Sequence, residues 1–204
     1  TPTATSSEGT LREIMSFCEK HFFEEISLSI VAKHTHLSPC YISHLFGHKP
    51  INTMTTLRDP EHRKTIYDVL DKKYKNLKYI GRLDFKTTGL LLLTNDGNFA
   101  RKMSLPKNQI ERTYIATVNK FSERGLNIAR HGVTVNGIKY RPMKIEIIDE
   151  HNLKITVTEG KKNEIRIVMR ACGAPVQKLH RESFGNLRLG NLAPGKIIKV
   201  SQKG

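Results

Sequence analysis

An α+β fold, with a mixed and largely antiparallel sheet and a small helical segment on its N-terminal side, is the class this sequence predicts. Three observations carry that prediction. Apolar runs of strand length recur through the larger, second part of the chain, at 77–80, 90–94, 113–118, 153–158 and 197–200. Asn136-Gly137, set between Val133-Thr134-Val135 and Ile138-Lys139-Tyr140, is a hairpin signal because both residues accept the positive φ of a type I′ turn. Helical patterning in the same region is confined to short stretches at 65–70 and 163–172. Strands that mostly follow hairpins, with helices interspersed, pair antiparallel.

In chain order, residues 1–9 are polar, rich in Ser and Thr, and read as a disordered tail. A capping box opens the first helix, with Thr10 as cap and Glu13 three residues on; Leu11, Ile14, Met15 and Cys18 form its apolar face. Ser27 caps a second helix over 28–34. Ser38-Pro39 opens a third, which runs to Phe46 and is ended by Gly47 with a positive φ. The two short helices on either side of the turn at 35–37 have helix-turn-helix form. From Lys49 the texture changes to a strand at 49–56, a short helix at 65–70, and then the strands, hairpin and helix named above. No Pro-, Gly- or Ser-rich linker separates the two parts. The expected organisation is a tail at 1–9, a helix-turn-helix-like segment at 10–47 and a larger domain at 48–204.

Composition narrows the function classes. The chain has no apolar run of about 18 residues, and its start lacks a basic and apolar leader pattern. Neither a membrane span nor a secretory signal is expected, and the cytoplasm is the expected compartment. Cys18, Cys40 and Cys172 lack paired spacing, which predicts reduced thiols rather than a disulfide framework or a zinc site. The histidines show no ligand pairing either, so no metal is expected. The net charge of +15 points to a polyanionic partner, and its distribution says where. Arg12, Lys20 and Lys33 against Glu8, Glu13, Glu19, Glu24 and Glu25 leave residues 1–48 at −2, so residues 49–204 carry +17. The basic field belongs to the larger domain.

One segment of that domain has the layout of a catalytic loop. Arg82 and Asp84 lie between Gly81 and Gly89, immediately before the fully apolar run at 90–93. The glycines permit backbone conformations that other residues resist, and a buried strand anchors the loop. Such a pair also serves as an ordinary local ion pair, so the pattern alone leaves both roles open.

The surrounding motifs decide between them. Residues 81–97, Gly-Arg-Leu-Asp-Phe-Lys-Thr-Thr-Gly followed by Leu-Leu-Leu-Leu-Thr-Asn-Asp-Gly, are very similar to the catalytic signature of RNA pseudouridine synthases of the small-subunit and large-subunit rRNA branch. His48-Lys49-Pro50-Ile51-Asn52 resembles that family's first motif, Asn-Lys-Pro-x-Gly. Arg112-Thr113-Tyr114 resembles its central motif. Residues 159–166, ending in Asn163-Glu164-Ile165-Arg166, resemble Glu-Gly-x-x-x-Gln-Val-Arg. Leu179-His180-Arg181-Glu182 and Leu192-Ala193-Pro194-Gly195 match its closing elements. Two departures stand out. Asn52 replaces a glycine, though Asn is the next-best residue for a left-handed conformation. The family also carries an S4-type RNA-binding domain ahead of the first motif, where this chain has the helical segment.

The resemblance implies an enzyme that isomerises a specific uridine, in ribosomal RNA, with RNA as partner and no cofactor. It implies Asp84 as the catalytic carboxylate, acting as nucleophile at C1′ or base at C2′ of the ribose. Arg166 would pair with Asp84 and keep it charged, Tyr114 would stack on the uracil or help remove the proton from C5, and Arg82 would steady the vacated stack. Lys49 and Arg181 are implied phosphate contacts. Two other readings compete. Residues 26–46 resemble the first helix-turn-helix of AraC-type transcription regulators, but only one such unit is present and residues 39–46 contain no Arg or Lys. A DNA-binding regulator is therefore disfavoured. A catalytically silent RNA-binding protein is disfavoured by the presence of Asp84, Tyr114 and Arg166.

Overall fold

Leu90, Leu91, Leu92 and Leu93 mark the centre of the molecule, because a strand of unbroken leucine must be covered on both faces. The computed structural model describes residues 44–70 and 74–199. In it the leucines belong to strand β3 (Thr87–Thr94). Leu91 and Leu93 enter the main core, while Leu90 and Leu92 enter a second cluster on the opposite face with Ile80, Met103, Ile110 and Phe184.

Around β3 runs a nine-stranded sheet in the order β11 (Ile197–Lys199), β1 (His44–Lys49), β3, β9 (Val176–Phe184), β4 (Arg112–Val118), β8 (Asn152–Val157), β7 (Lys144–Ile147). β2 (Lys78–Ile80) pairs with β3, and β10 (Leu187–Arg188) pairs with β9. Every pairing in this sheet is antiparallel except β3 with β9, so the predicted mixed, largely antiparallel α+β class holds. The hairpin of β5 (Val133–Val135) and β6 (Ile138–Tyr140) turns at Asn136 and Gly137 with φ of 51° and 75°, the left-handed pair the dipeptide predicts.

Helix α1 (Ile66–Val69) is one turn closed by a capping box from Thr65 to Asp68. Helix α2 (Gly97–Ser104) is capped by Asp96, whose carboxylate accepts from the amides of Asn98 and Phe99, and it supplies Met103 to the second cluster. Helices α3 (Glu123–His131) and α4 (Glu164–Ala171) bury Leu126, Ala129, Ile165, Val168 and Met169 in the main core. Among the described residues no helix is long and apolar enough to cross a membrane, and no group of three or more His, Cys, Asp or Glu could hold a metal ion.

Two expectations for the start of the larger domain are corrected. The helix expected to run to Phe46 and the strand expected at 49–56 are replaced by a strand at His44–Lys49, followed by a turn at Ile51 and Asn52. The reason is tertiary: His44 to Lys49 pair residue for residue with Thr94 to Gly89 of β3, and Leu45 to Gly47 pair with β11 on the other side. Gly47 has no positive φ to end a helix. The expected tail, the helices at 10–34 and their turn, and Cys18 and Cys40 lie outside the described residues. Cys172 is a buried free thiol.

Candidate active site

Asp84 sits in the short loop that joins β2 to β3, and the loop's backbone is held at nearly every residue. Gly81 turns the chain out of β2 with φ of 64°, and the Thr87 amide donates to Asp84 O at 2.9 Å. The Thr55 hydroxyl donates to Leu83 O at 2.9 Å and accepts from the Leu83 amide at 3.3 Å. The Asn52 amide donates to Phe85 O at 3.1 Å; Asn52 adopts the left-handed conformation, φ 55°, expected of the residue in that glycine position. Lys49 Nζ donates to Thr87 O at 2.8 Å and Phe85 O at 3.4 Å. Arg166 Nη2 donates to Lys86 O at 3.1 Å. With the carbonyls on both sides of Asp84 engaged, its side chain is presented from a fixed frame, as a catalytic group requires.

The carboxylate is half-buried among cations. Burial pushes its pKa above the ordinary carboxylate value, while Arg166, Arg82, Lys49 and Lys162 pull it back down, in decreasing order. Burial also lowers the Lys49 ammonium to about 8, against the pull of Asp84 and with a further push from Arg181. Several positive charges thus converge on one carboxylate that water reaches only in part.

Of the residues expected at this site, Arg82, Arg166 and Lys49 act on Asp84. Arg166 does so differently from expectation. It makes no direct ion pair with Asp84; Nη1 donates to Val176 O at 3.0 Å and Nη2 to Lys86 O, with Nε buried and unpartnered, so it clamps the loop and acts on the carboxylate across space. Tyr114 stands on β4, 8% exposed, in the same core cluster as Leu83, the residue before Asp84.

Lys49 and Arg181 are corrected as phosphate contacts. They are 2% and 1% exposed. The Lys49 ammonium donates to backbone carbonyls, and Arg181 Nε donates to Leu90 O at 2.8 Å with its guanidinium over the Phe184 ring at 5.1 Å. Neither head reaches a phosphate without leaving the interior.

Two neighbours of Asp84 were missed from sequence. Lys162 is an exposed cation whose field reaches it. Asn163 touches it: with the carboxamide nitrogen turned toward the carboxylate, the side chain donates to Oδ2 at 3.0 Å and Oδ1 at 3.3 Å, whereas the reverse orientation would set oxygen against oxygen. The available signal was an asparagine at the very start of the helix expected over 163–172, where a cap or a left-handed residue belongs.

Residues 43–171 match the family described as RNA pseudouridylate synthase. An uncharacterized RNA pseudouridine synthase of Rickettsia conorii is 34% identical over 160 residues, spanning 76% of this chain and 69% of that protein. The ribosomal large subunit pseudouridine synthase B of Bacillus subtilis is 34% identical over 161 residues, spanning 76% of this chain and 66% of that protein. The crystal structure of a pseudouridylate synthase superposes with a TM-score of 0.72 at 30% identity, over 78% of this chain and 70% of that one. Matched in this way along its sheet, the chain belongs to the RNA pseudouridine synthase family of isomerases.

Proposed function

We propose that this synthase isomerises a specific uridine of ribosomal RNA, and that Asp84 is its catalytic carboxylate. The observation that carries the reading is the setting of Asp84: half-buried, on a loop whose flanking carbonyls are held, with the fields of four cations acting on it. The reaction breaks the N1–C1′ bond and forms a C5–C1′ bond; C5 loses its proton to solvent and N1 gains one, so nothing is oxidised or reduced. An ionised carboxylate is needed at the sugar, either to attack C1′ or to remove the proton at C2′. Burial raises its pKa and so strengthens it as a base, while the surrounding cations oppose that rise and favour the ionised form.

The target uridine must leave its stack to reach this loop, at a cost of about a few kcal/mol. Arg82, exposed beside Asp84, supports filling or steadying the vacated space. Tyr114 is the residue we assign to the uracil ring or to the C5 proton, although little of it is open in this structure. Arg82, Lys86 and Lys162, all exposed around the loop, replace Lys49 and Arg181 as the phosphate contacts we assign. Ribosomal RNA as the target rests on the likeness to the large-subunit enzyme of Bacillus subtilis.

Asp84→Asn tests the assignment, since it keeps the shape and removes the charge. Its isomerisation rate should fall by at least about 10³-fold with RNA binding retained. Turnover near the wild-type rate would falsify the role of Asp84. Mapping pseudouridine in RNA from cells with and without the gene tests the target: a site lost from ribosomal RNA is expected, and a loss confined to transfer RNA would overturn that choice.

A further inference from the structure

We infer that Asn163 is a positioning residue for Asp84, holding the carboxylate in one orientation and in its ionised form through a neutral, two-centre hydrogen bond. The inference rests on the catalytic reading of Asp84 given above. Three features of Asn163 point to it. The first is the contact itself: among the described residues, the Asn163 carboxamide is the side chain within hydrogen-bond distance of both Asp84 oxygens, at 3.0 and 3.3 Å. The cations around Asp84 act from further off, and the largest in effect, Arg166, directs its two terminal nitrogens to Val176 O and Lys86 O.

The second is the work the side chain does not do. Asn163 is the residue ahead of α4, and an asparagine there ordinarily turns its oxygen back onto the amides of the first helical turn. Here it makes no such cap; its backbone carbonyl accepts from the Ile167 amide at 2.9 Å while its side chain is left for Asp84. The third is the backbone. Asn163 is left-handed, with φ of 54° and ψ of 22°, a conformation few side chains other than Asn adopt readily. That turn, between Lys162 and the buried Glu164, is what aims the amide at the loop across the site.

The chemistry follows from the donor being neutral. A hydrogen bond to the charged form of a carboxylate favours that form and so opposes the effect of burial. A guanidinium in the same place would do this more strongly, but it would also withdraw charge from the attacking oxygen. An amide fixes the carboxylate's plane and leaves its basicity largely intact.

The test uses the full chain, with RNA from cells lacking the gene, labelled with tritium at uridine C5, whose release reports the reaction. Asn163→Gly tolerates the left-handed backbone and removes only the amide. Its kcat should fall about 10-fold with KM within about 2-fold, and the acid limb of its pH profile should move upward by about 1 unit. Asn163→Asp sets a second carboxylate at hydrogen-bond distance and should move that limb further, by about 2 units. A residue that merely shapes the helix start would lower thermal stability and activity together without moving the limb. Unmoved acid limbs in both variants, with Asp84→Asn inactive, overturn the role of Asn163 alone. An active Asp84→Asn enzyme overturns the assignment of Asp84, and this inference with it.

Discussion

Glu164 shows how a single carboxyl sets a balance between site and stability. It is the first residue of α4, buried, and its Oε2 accepts from the Lys161 amide at 3.2 Å. Burial, reinforced by the charge of Glu159, raises its pKa from 4.5 to about 7. Because the folded value lies above the unfolded one, the stability this group contributes is fully present below pH 4.5 and is lost as pH rises through 7. At about 1.4 kcal/mol per unit, the ionised form costs roughly 3 kcal/mol. Glu164→Gln keeps the acceptor and removes the charge, so it should raise the thermal midpoint at about pH 8 and leave it nearly unchanged at about pH 4. Equal shifts at the two pH values, measured by thermal unfolding, would rule out ionisation as the cause. The motif resemblance placed a glutamine at this position, so the departure was visible in the sequence. Its consequence was not, because only the folded chain shows that the carboxyl is buried and lies next to Glu159. The Asp84–Asn163 contact was hidden for the same reason: seventy-nine positions, by residue number, separate the two, and nothing local records that they meet.

Among the elements, the parallel pairing of β3 with β9 is the joint on which the site depends. Thr87, Thr88 and Gly89 pair with Leu179, His180 and Arg181, directly after the loop that carries Asp84. At Gly89 the two backbones are so close that a Cβ would stand 2.3 Å from Arg181 O and 2.5 Å from its N, and φ is +108°. Gly89→Ala should therefore part the strands, free Arg181 from Leu90 O, and cost about 4 kcal/mol or more. Thermal unfolding checks this, and a midpoint within about 2 °C of wild type would show that the joint has slack. β3 was legible because four leucines in a row have no other use in a short segment. β9 was not legible as a strand. Gln177, Lys178, His180, Arg181, Glu182 and Ser183 give it the polarity of a surface loop, and only the cation stacking on Phe184 and the Arg181–Leu90 bond explain how Arg181 is buried in such a strand. α3 was missed for a related reason: two buried residues of large effect, Leu126 and Ala129, are too few to stamp a period on nine residues.

For the whole molecule, the position of β1 decides where the synthase domain starts. The sequence read Ser38-Pro39 through Gly47 as a capped helix, and Leu45 and Phe46 fit that pattern as well as they fit a strand. The sheet resolves it, since β1 lies between β3 and β11 and is tied on both edges. The closing segment depends on it further: the His48 amide donates to Lys196 O at 3.1 Å, the Gly195 amide to His48 O at 2.9 Å, and His48 Nδ1 meets Leu192 O at 2.7 Å. A chain begun at residue 48 would keep only the last two residues of β1 and leave β11 without its pairing strand. One begun at residue 43 keeps the whole strand. The first should unfold at a midpoint lower than the second by roughly 10 °C or more, because the backbone pairings of β1 with both β3 and β11 go together. It should also lose isomerase activity, since Lys49 and the Asp84 loop lean on the same strand. Calorimetry and tritium release on the two truncated chains test this directly. Equal midpoints would mean that His44 to Gly47 add nothing to the sheet, and the domain boundary would return to residue 48.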